Sequence, residues 1–560
     1  MICKKRASSV SNPAVHFTGY LFDKTHRTSQ KSQPELRRGV PVKFDQLVSL
    51  LRGGQSLTSN QQENVLRIIE LSRAFHSDAG LYFKDPGSPG RKAIVLESGH
   101  QPNFLPYPGV WKKAFLLDRI ARELRDRGEE AVPLFGFADH NLSTAFYLAR
   151  NQVPALNKIG TENIGFKIPE RDRRRCFHTL KKPTSERFHE EIERIRTLYR
   201  ATSGKMGPPG TTNDERTDQI LHSLLWSYQR AQTFPEMNAY LFARICTDLF
   251  GLNLIFFRYT DIHKGSVFID TARRVLSDLV AFNASYNAAV AGQEEMPRVR
   301  NGDIPFWFHC DCGAKVHLAG DPPSLSGTCP ACGKEFDLPA GAGLGDLATW
   351  YPRMSPNAIA RNLVFAEGLG TSLFISGTGG GLRYGRLADA ISREMGFHRP
   401  TTLAWRSRDY YLGGIHYLAL RELRRTFDLP SGDFTDPCLG EKIRRYRSSL
   451  QSEARDLREN QGEMKEIQRL EGRFSNSRVK AVMVKRVFQA TPSILDLMAA
   501  VEPQVICQQW NTAIGDAGVY PDDHLLLMEG NVSYPCDPGF SLPMDAIPGV
   551  YKAMEAIEVD

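Results

Sequence analysis

Three times in this chain an apolar run ends in a short polar or glycine-rich turn, and that recurrence constrains the fold more than any other feature. The stretches are "KAIVLESGHQPNFLPYPGVWKKAFLL", "AVPLFGFADHNLS" and "TSLFISGTGGGLRYGRLADAISREMGF". The first reads as a strand at 93–97, a proline-punctuated turn and an amphipathic helix at 110–127, after which 131–143 returns to strand and turn. The third reads as a strand at 371–376, a glycine turn and a helix at 383–395, with "RPTTLAWRSRD" as the next strand. Strands alternating with helices predict β-α-β units and a parallel sheet. "FGLNLIFFRYTD" at 250–261 adds a strand, and Val65, Ile68, Ile69 and Ser72, with Leu71 and Phe75 nearby, place an amphipathic helix over 61–75. The expected class is an α/β parallel-sheet core interrupted by insertions.

At 560 residues the chain exceeds one ordinary core, so two or three structural units are expected. Its net charge of +8 permits an anionic ligand and falls short of a nucleic-acid-binding signature. The basic runs Arg173 to Arg175 and Lys181-Lys182 lack interleaved aromatic residues and read as solvated surface. No apolar run of about 18 residues occurs, and "MICKKRASSVSNPAVHF" has no secretion-signal core, so a cytoplasmic protein without a membrane span is expected.

Ten cysteines divide into a cluster, Cys310, Cys312, Cys329 and Cys332, and six scattered residues read as free thiols, among them Cys176. In "FHCDCGAKVHLAGDPPSLSGTCPACGKEF" two thiolate pairs, each followed by glycine and a β-like segment, are separated by 16 residues, the layout of a zinc ribbon. The first pair is Cys-x-Cys, so His309 or His317 stands as an alternative ligand, and four buried thiols are the plain alternative. Four thiolates leave zinc no open position, which makes its role structural.

The organisation expected is a polar extension at 1–38, a first core part at 39–300 with a charged insertion at about 157–235, the ribbon at 301–342, and a second core part at 343–430. A helical unit follows at 431–560, in which Ile443, Tyr446, Leu450, Leu457, Met464 and Ile467 suggest a short coiled coil or helical hairpin.

In an open parallel sheet, ligands bind beyond the carboxyl ends of the strands. The first turn carries His100, Gln101 and Asn103, the second Asp139, His140 and Asn141, and the third runs from Ser376 to Gly381. Histidine and aspartate there can act as acid or base, and glycines let backbone approach a phosphate. The plain readings are a flexible turn and a hydrogen-bonded Asp-His contact, and the glycine run matches neither the P-loop nor the dinucleotide fingerprint.

These segments together resemble the bacillithiol-biosynthesis cysteine-adding enzymes, the BshC-type cysteine ligases. "ESGHQPNFLPYPGVWKKAFLL" is similar to that family's opening strand, Gly-Gln-Gln turn and Lys-Ala helix, through Gly99, Gln101, Pro108 and Lys113-Ala114, with His100 where the family has Gln. "VPLFGFADHNLSTAFY" is similar to its Glu-Asp-His-Asp turn through Asp139 and His140, with Ala138 and Asn141 replacing the flanking acids. "SPNAIARNLVFAEGLGTSLFISGTGGGLRYGRL" is similar to its Arg-bearing segment and Gly-Gly-Pro-Gly-Glu turn through Arg361, Gly377 and Gly379, with Gly380 in place of Glu.

The resemblance, over about 60–425, implies a Rossmann-like core related to class I nucleotidyltransferases, a dimerising coiled coil, a nucleotide site for ATP or ADP, and ligation of cysteine to an amino-sugar glycoside. The ribbon lies outside the family pattern and marks a divergent branch. On this reading His100, Asp139 and His140 are the catalytic candidates, while Gln101, Asn103, Arg361, Ser376, Gly377, Gly379 and Gly380 bind substrate or nucleotide. The activity expected is amide formation between an amino acid and a small amine. The alternatives are a zinc-ribbon nucleotide- or RNA-binding protein related to tRNA-charging enzymes, and an inactive scaffold.

Overall fold

A computed structural model describes residues 40–52, 56–203, 212–291, 296–320, 324–339, 344–535 and 542–558. The extension at 1–38 and most of the Gly/Pro stretch "SGKMGPPGTTND" lie outside the described residues.

Seven strands form the central sheet: β1 (Ile94–His100), β2 (Ala131–Phe137), β3 (Ile255–Arg258), β4 (Leu373–Ser376), β5 (Thr401–Arg406), β6 (Gly518–Asp522) and β7 (Leu525–Glu529). Their order is β3-β2-β1-β4-β5-β7-β6. Six run parallel and β6 closes one edge antiparallel. Strand order therefore reverses between β1 and β4, the switch point at which a doubly wound sheet opens a crevice beyond its strand ends. The Ser98 hydroxyl donates to Ile375 O at 2.9 Å and ties the two strands together just below it.

Both faces of the sheet are covered, which is why its strands read as apolar runs without alternation. On one side Ile94, Leu96, Phe135, Phe137 and Phe256 pack beneath the helix Pro108–Asp126. On the other, Val95, Val132, Leu134 and Phe257 meet Val65, Ile68 and Ile69 of the helix Ser59–Asp78 and the helices Ala358–Leu369 and Gly380–Met395. The predicted amphipathic helix thus buries the face its spacing indicated, and Ser72 sits in it because its hydroxyl pairs with His76 Nδ1 at 3.1 Å.

Several boundaries differ from the sequence reading. β1 continues to His100, so the first candidate is the last residue of a strand rather than part of a loop. The charged insertion forms a hairpin, Arg150–Pro154 with Thr161–Gly165, and two long helices, Ser185–Ser203 and Thr212–Arg230. Its buried Phe166, Phe177, Phe188, Ile192, Leu221 and Leu224 continue the first core layer, so its charges decorate an integral part of the fold. The segment 431–560 is helical only in part, since it also supplies β6 and β7 to the central sheet. Its helices Leu439–Glu459 and Met464–Gln489 form a hairpin whose seam holds Leu450, Ala454 and Leu470.

Two glycines set how the strand ends are covered. A Cβ on Gly136 would lie 2.1 Å from the Tyr259 ring, and one on Gly99 2.5 Å from its hydroxyl. Tyr259 therefore crosses β1 and β2 where no side chain stands in its way. Gly136→Ala is expected to displace the ring and destabilise the protein by about 1–3 kcal/mol, as overpacking does. A thermal melt against wild type checks this, with Gly515→Ala, where a Cβ meets open space and φ is not left-handed, as the comparison.

Candidate functional site

The crevice at the switch point is a cavity of about 300 Å³ at the carboxyl ends of β1, β4 and β5. Three sequence candidates line it: His100 from the end of β1, and Ser376 and Gly377 from the end of β4. Lys112, Lys113, Trp405, Ser407, Arg408 and Asp409, absent from the sequence candidates, line it as well. The two lysines come from the first turns of the helix Pro108–Asp126, which Pro108 starts at the position where a missing N–H costs nothing.

His100 Nδ1 lies 2.9 Å from Gln101 O. A carbonyl only accepts, so the proton sits on Nδ1 and Nε2 carries the free lone pair. Burial and the nearby Lys113 push the imidazole down to about 3, which keeps it neutral. Lys113 donates to Gly99 O at 2.6 Å, and burial, helped by Arg361, lowers it to about 7. Lys112 is held differently, in an ion pair of 2.7 Å with Asp409 that is almost fully buried. The second oxygen of Asp409 accepts from Tyr534 at 2.7 Å, and Tyr534 in turn accepts from the Trp510 indole at 2.7 Å.

Arg361, which is not among the residues lining this cavity, lies in the first turn of the helix Ala358–Leu369, where Asn357 Oδ1 caps Ile359 and Ala360. Its guanidinium lies 5.7 Å from the Tyr259 ring centre and, among the described residues, pairs directly with no carboxylate. It is close enough to disfavour protonation of His100, Lys113, His140 and His263. The nearest counter-charge is Glu97, buried inside β1, whose carboxyl burial raises to about 7 while Thr371 donates to it at 3.1 Å. Arg361 and Lys113 thus form a positive pole without a direct ion pair among the described residues.

Other candidates occupy neighbouring positions. Asn103 is buried with Oδ1 lacking a hydrogen-bond partner, and Gln101 is half-buried. Gly379 precedes the helix Gly380–Met395, and neither Gly377 nor Gly379 would meet an atom within 4 Å of an added Cβ, so this turn borders open space. Leu105, in the loop after His100, holds a left-handed φ of 44°, a conformation costly for a branched residue.

The second turn faces away from the cavity. Asp139 Oδ1 accepts from the Thr260 N–H at 3.0 Å, so the carboxylate caps the segment after β3. Burial raises it to about 6 against the pull of Arg258, which is itself paired with Asp261 and Glu236. His140 stacks on Tyr259 with ring centres 5.7 Å apart and meets His263 edge-on at 5.6 Å. The sheet brings the first and third turns to one cavity and directs the second elsewhere.

The ribbon is a four-stranded antiparallel sheet, Asp303–His309, Lys315–Ala319, Ser324–Thr328 and Glu335–Pro339, edged by Met354–Pro356. Its two turns face each other, with Cys310 Sγ 3.6 Å from Cys332 Sγ and Cys312 Sγ 3.6 Å from Cys329 Sγ. Four sulfurs each about 2.3 Å from one zinc ion lie about 3.8 Å apart, so the cysteines fit the metal without help from a histidine. His317 instead lies 3.7 Å from Asp303, and His309 contacts Ser355 at 2.8 Å.

No protein-family model and no curated protein matches this chain. Among solved structures, the arginyl-tRNA synthetase of Thermus thermophilus aligns over 87% of this chain and 84% of its own at 11% identity, with a TM-score of 0.21. A superposition that loose carries no argument, and the fold assignment stands on strand order. The chain is a mixed α/β protein with a parallel-sheet core and a cysteine cluster able to hold a metal ion. Among the described residues no helix is long and apolar enough to cross a membrane.

The buried pair gives a direct test of the cavity wall. Lys112→Met should strand Asp409 without its cation and cost about 3–5 kcal/mol, and adding Asp409→Asn should recover part of that loss. Thermal melts of the two single variants and the double variant measure the coupling.

Proposed function

We propose that the chain is a nucleotide-dependent ligase that joins an amino acid, with cysteine the first candidate, to a small amine such as an amino-sugar glycoside. The observation that carries this reading is the positive pole at the switch point. Lys113 lines the crevice where an open α/β sheet of this strand order takes its ligands, Arg361 is near enough to act on Lys113 and His100, and neither cation has an ion-pair partner among the described residues. The matches at Gly99, Gln101, Lys113, Arg361 and Gly377 to the cysteine-adding enzymes, and through them to a class I nucleotidyltransferase-like core, support the same reading.

The residues divide the chemistry as follows. Lys113 and Arg361 hold the phosphate or carboxylate oxygens of an activated acyl donor and stabilise the charge that develops when the leaving oxygen departs. His100 Nε2 accepts the proton that the attacking amine releases as the new C–N bond forms, since Nδ1 is occupied at Gln101 O. An anion bound beside the imidazole favours its protonated form and raises its basicity. The Ser376–Gly377 turn lets the donor approach the backbone.

A thermal-shift screen against ATP, ADP, cysteine, other amino acids and amino-sugar glycosides tests this, because a ligand that binds only the folded state raises the melting temperature. Stabilisation by nucleotide or cysteine that is lost in Arg361→Ala is expected, and no stabilisation by any of them would overturn the reading.

The same site predicts a pH dependence. Anion binding favours protonated Lys113, and Glu97 ionises over the same range near 7, so nucleotide affinity is highest at and below about pH 7 and weakens as pH rises above it. His100 stays neutral throughout that range. Lys113→Arg keeps the charge at all these pH values and should flatten the profile, which isothermal titration between pH 6 and about 9 would read.

A second reading rests on a separate groove of about 530 Å³ in the insertion, lined by Lys167, Arg171, Arg175, Lys181, Lys182 and Arg187 with only Asp172 as counter-charge. It suits a polyanion such as RNA. Retention of tRNA that weakens steeply with salt, with a slope reduced by about one for each cation removed, would favour it.

A further inference from the structure

Behind the second turn the structure gathers groups that the ligase reading leaves unused. Cys176 and His178 come from the insertion, and His309 is the last residue of the first ribbon strand. The Cys176 sulfur and one ring nitrogen from each histidine all lie within 4.8 Å of one another. Backbone bonds lock the three segments together: Cys176 N–H donates to Gly313 O at 2.7 Å, His178 N–H to Asp139 O at 2.9 Å, and Phe177 N–H to Asn141 O at 2.7 Å.

The polar atoms here are unsatisfied to a degree unusual for a protein interior. His178 Nδ1, His140 Nδ1 and both ring nitrogens of His263 are buried without a hydrogen-bond partner. His140 and His263 are each only 2% exposed. The His178 and His309 rings lie 5.3 Å apart, and His140 and His263 5.6 Å apart. A buried imidazole nitrogen left unpaired costs roughly 1–3 kcal/mol, and an ion held with Cys176 and His309 relieves His178, the one of these histidines that belongs to the ligand group. Ser355 Oγ lies 2.8 Å from His309 Nε2 and orients that ring, as outer partners of metal-bound histidines do.

We propose that Cys176, His178 and His309 bind a second zinc ion, distinct from the ribbon's, with a fourth position open to an exchangeable ligand. One thiolate and two imidazoles select zinc over magnesium or calcium, and three protein ligands with an open fourth position describe a reactive centre rather than a structural one. With one thiolate the centre carries a net charge of +1, and the buried Lys315, without a direct carboxylate partner among the described residues, is close enough to act on Cys176, His178 and His309, while Asp139 is the carboxylate that acts on Cys176. That surplus of positive charge fits an anionic oxygen, such as hydroxide or a carboxylate, in the fourth position. The inference is independent of what occupies the switch-point cavity.

Elemental analysis of the purified full-length chain, expressed in zinc-supplemented medium, tests this. Wild type should hold two zinc ions per chain, and Cys176→Ser and His178→Ala should each hold one. After cobalt replacement, the wild-type-minus-Cys176→Ser difference spectrum should show a thiolate-to-cobalt band weaker than that of a four-thiolate site. Two ions retained in both variants, or one ion in wild type with a four-thiolate cobalt spectrum, would overturn the proposal. If the variants fail to fold, the wild-type metal content and cobalt spectrum decide between the same two outcomes.

Discussion

The placement of Tyr259 across β1 and β2 is the contact on which the strand ends depend. It exists because Gly99 and Gly136 leave no Cβ in its path. One neighbourhood of the ring holds the Arg361 guanidinium and another holds His140, stacked at 5.7 Å. The same aromatic plate thus contacts both Arg361 and the histidine cluster behind the second turn, whose His140 and His263 feel the Arg361 charge. Phe365, 4.7 Å away between ring centres and in the same helix as Arg361, fixes the plate from the far side.

The buried charges follow from that arrangement. A protein interior tolerates a cation when something compensates it, and at this sheet edge compensation is uneven. Lys112 has Asp409, which Tyr534 and Trp510 support in turn. Lys113 has only a carbonyl, and Arg361 has an aromatic face and the Glu97 carboxyl, which burial raises to about 7. Such asymmetry within one cavity is expected of a binding site, where a ligand supplies the missing charge, and its cost is carried by the large double-sided core beneath it.

Much of the framework was legible in the sequence because parallel strands covered on both faces carry apolar runs, as Ile94–Leu96 in β1, Ala131–Phe137 in β2, Leu373–Ile375 in β4 and Leu403–Trp405 in β5 do. The ribbon cysteines were legible for a similar reason, since their spacing leaves few other uses. The partners at the cavity were not. Lys112 and Asp409 meet across 297 residues, and nothing local marks either as half of a pair. Asp139 and His140 were readable as polar residues at a strand end, but their direction is set by Thr260 and Tyr259, which lie about 120 residues later. Cys176 read as a free thiol because its neighbours His178 and His309 come together only when the insertion docks on the ribbon. The C-terminal segment read as helical because β6 and β7 are short and lie among helices, whereas pairing with β5 makes them part of the sheet.

That last pairing bears on how the chain is made. β5 ends at Arg406 and its outer neighbour β7 begins only at Leu525, with β6 just before it. At typical ribosomal speeds of about 5–20 residues per second, the intervening stretch takes roughly 6–24 s to emerge. During that time β5 presents an open hydrogen-bonding edge on an otherwise assembled sheet, the kind of template onto which another nascent chain can pair. The helical hairpin is translated in between, so the sheet closes only after it has been made.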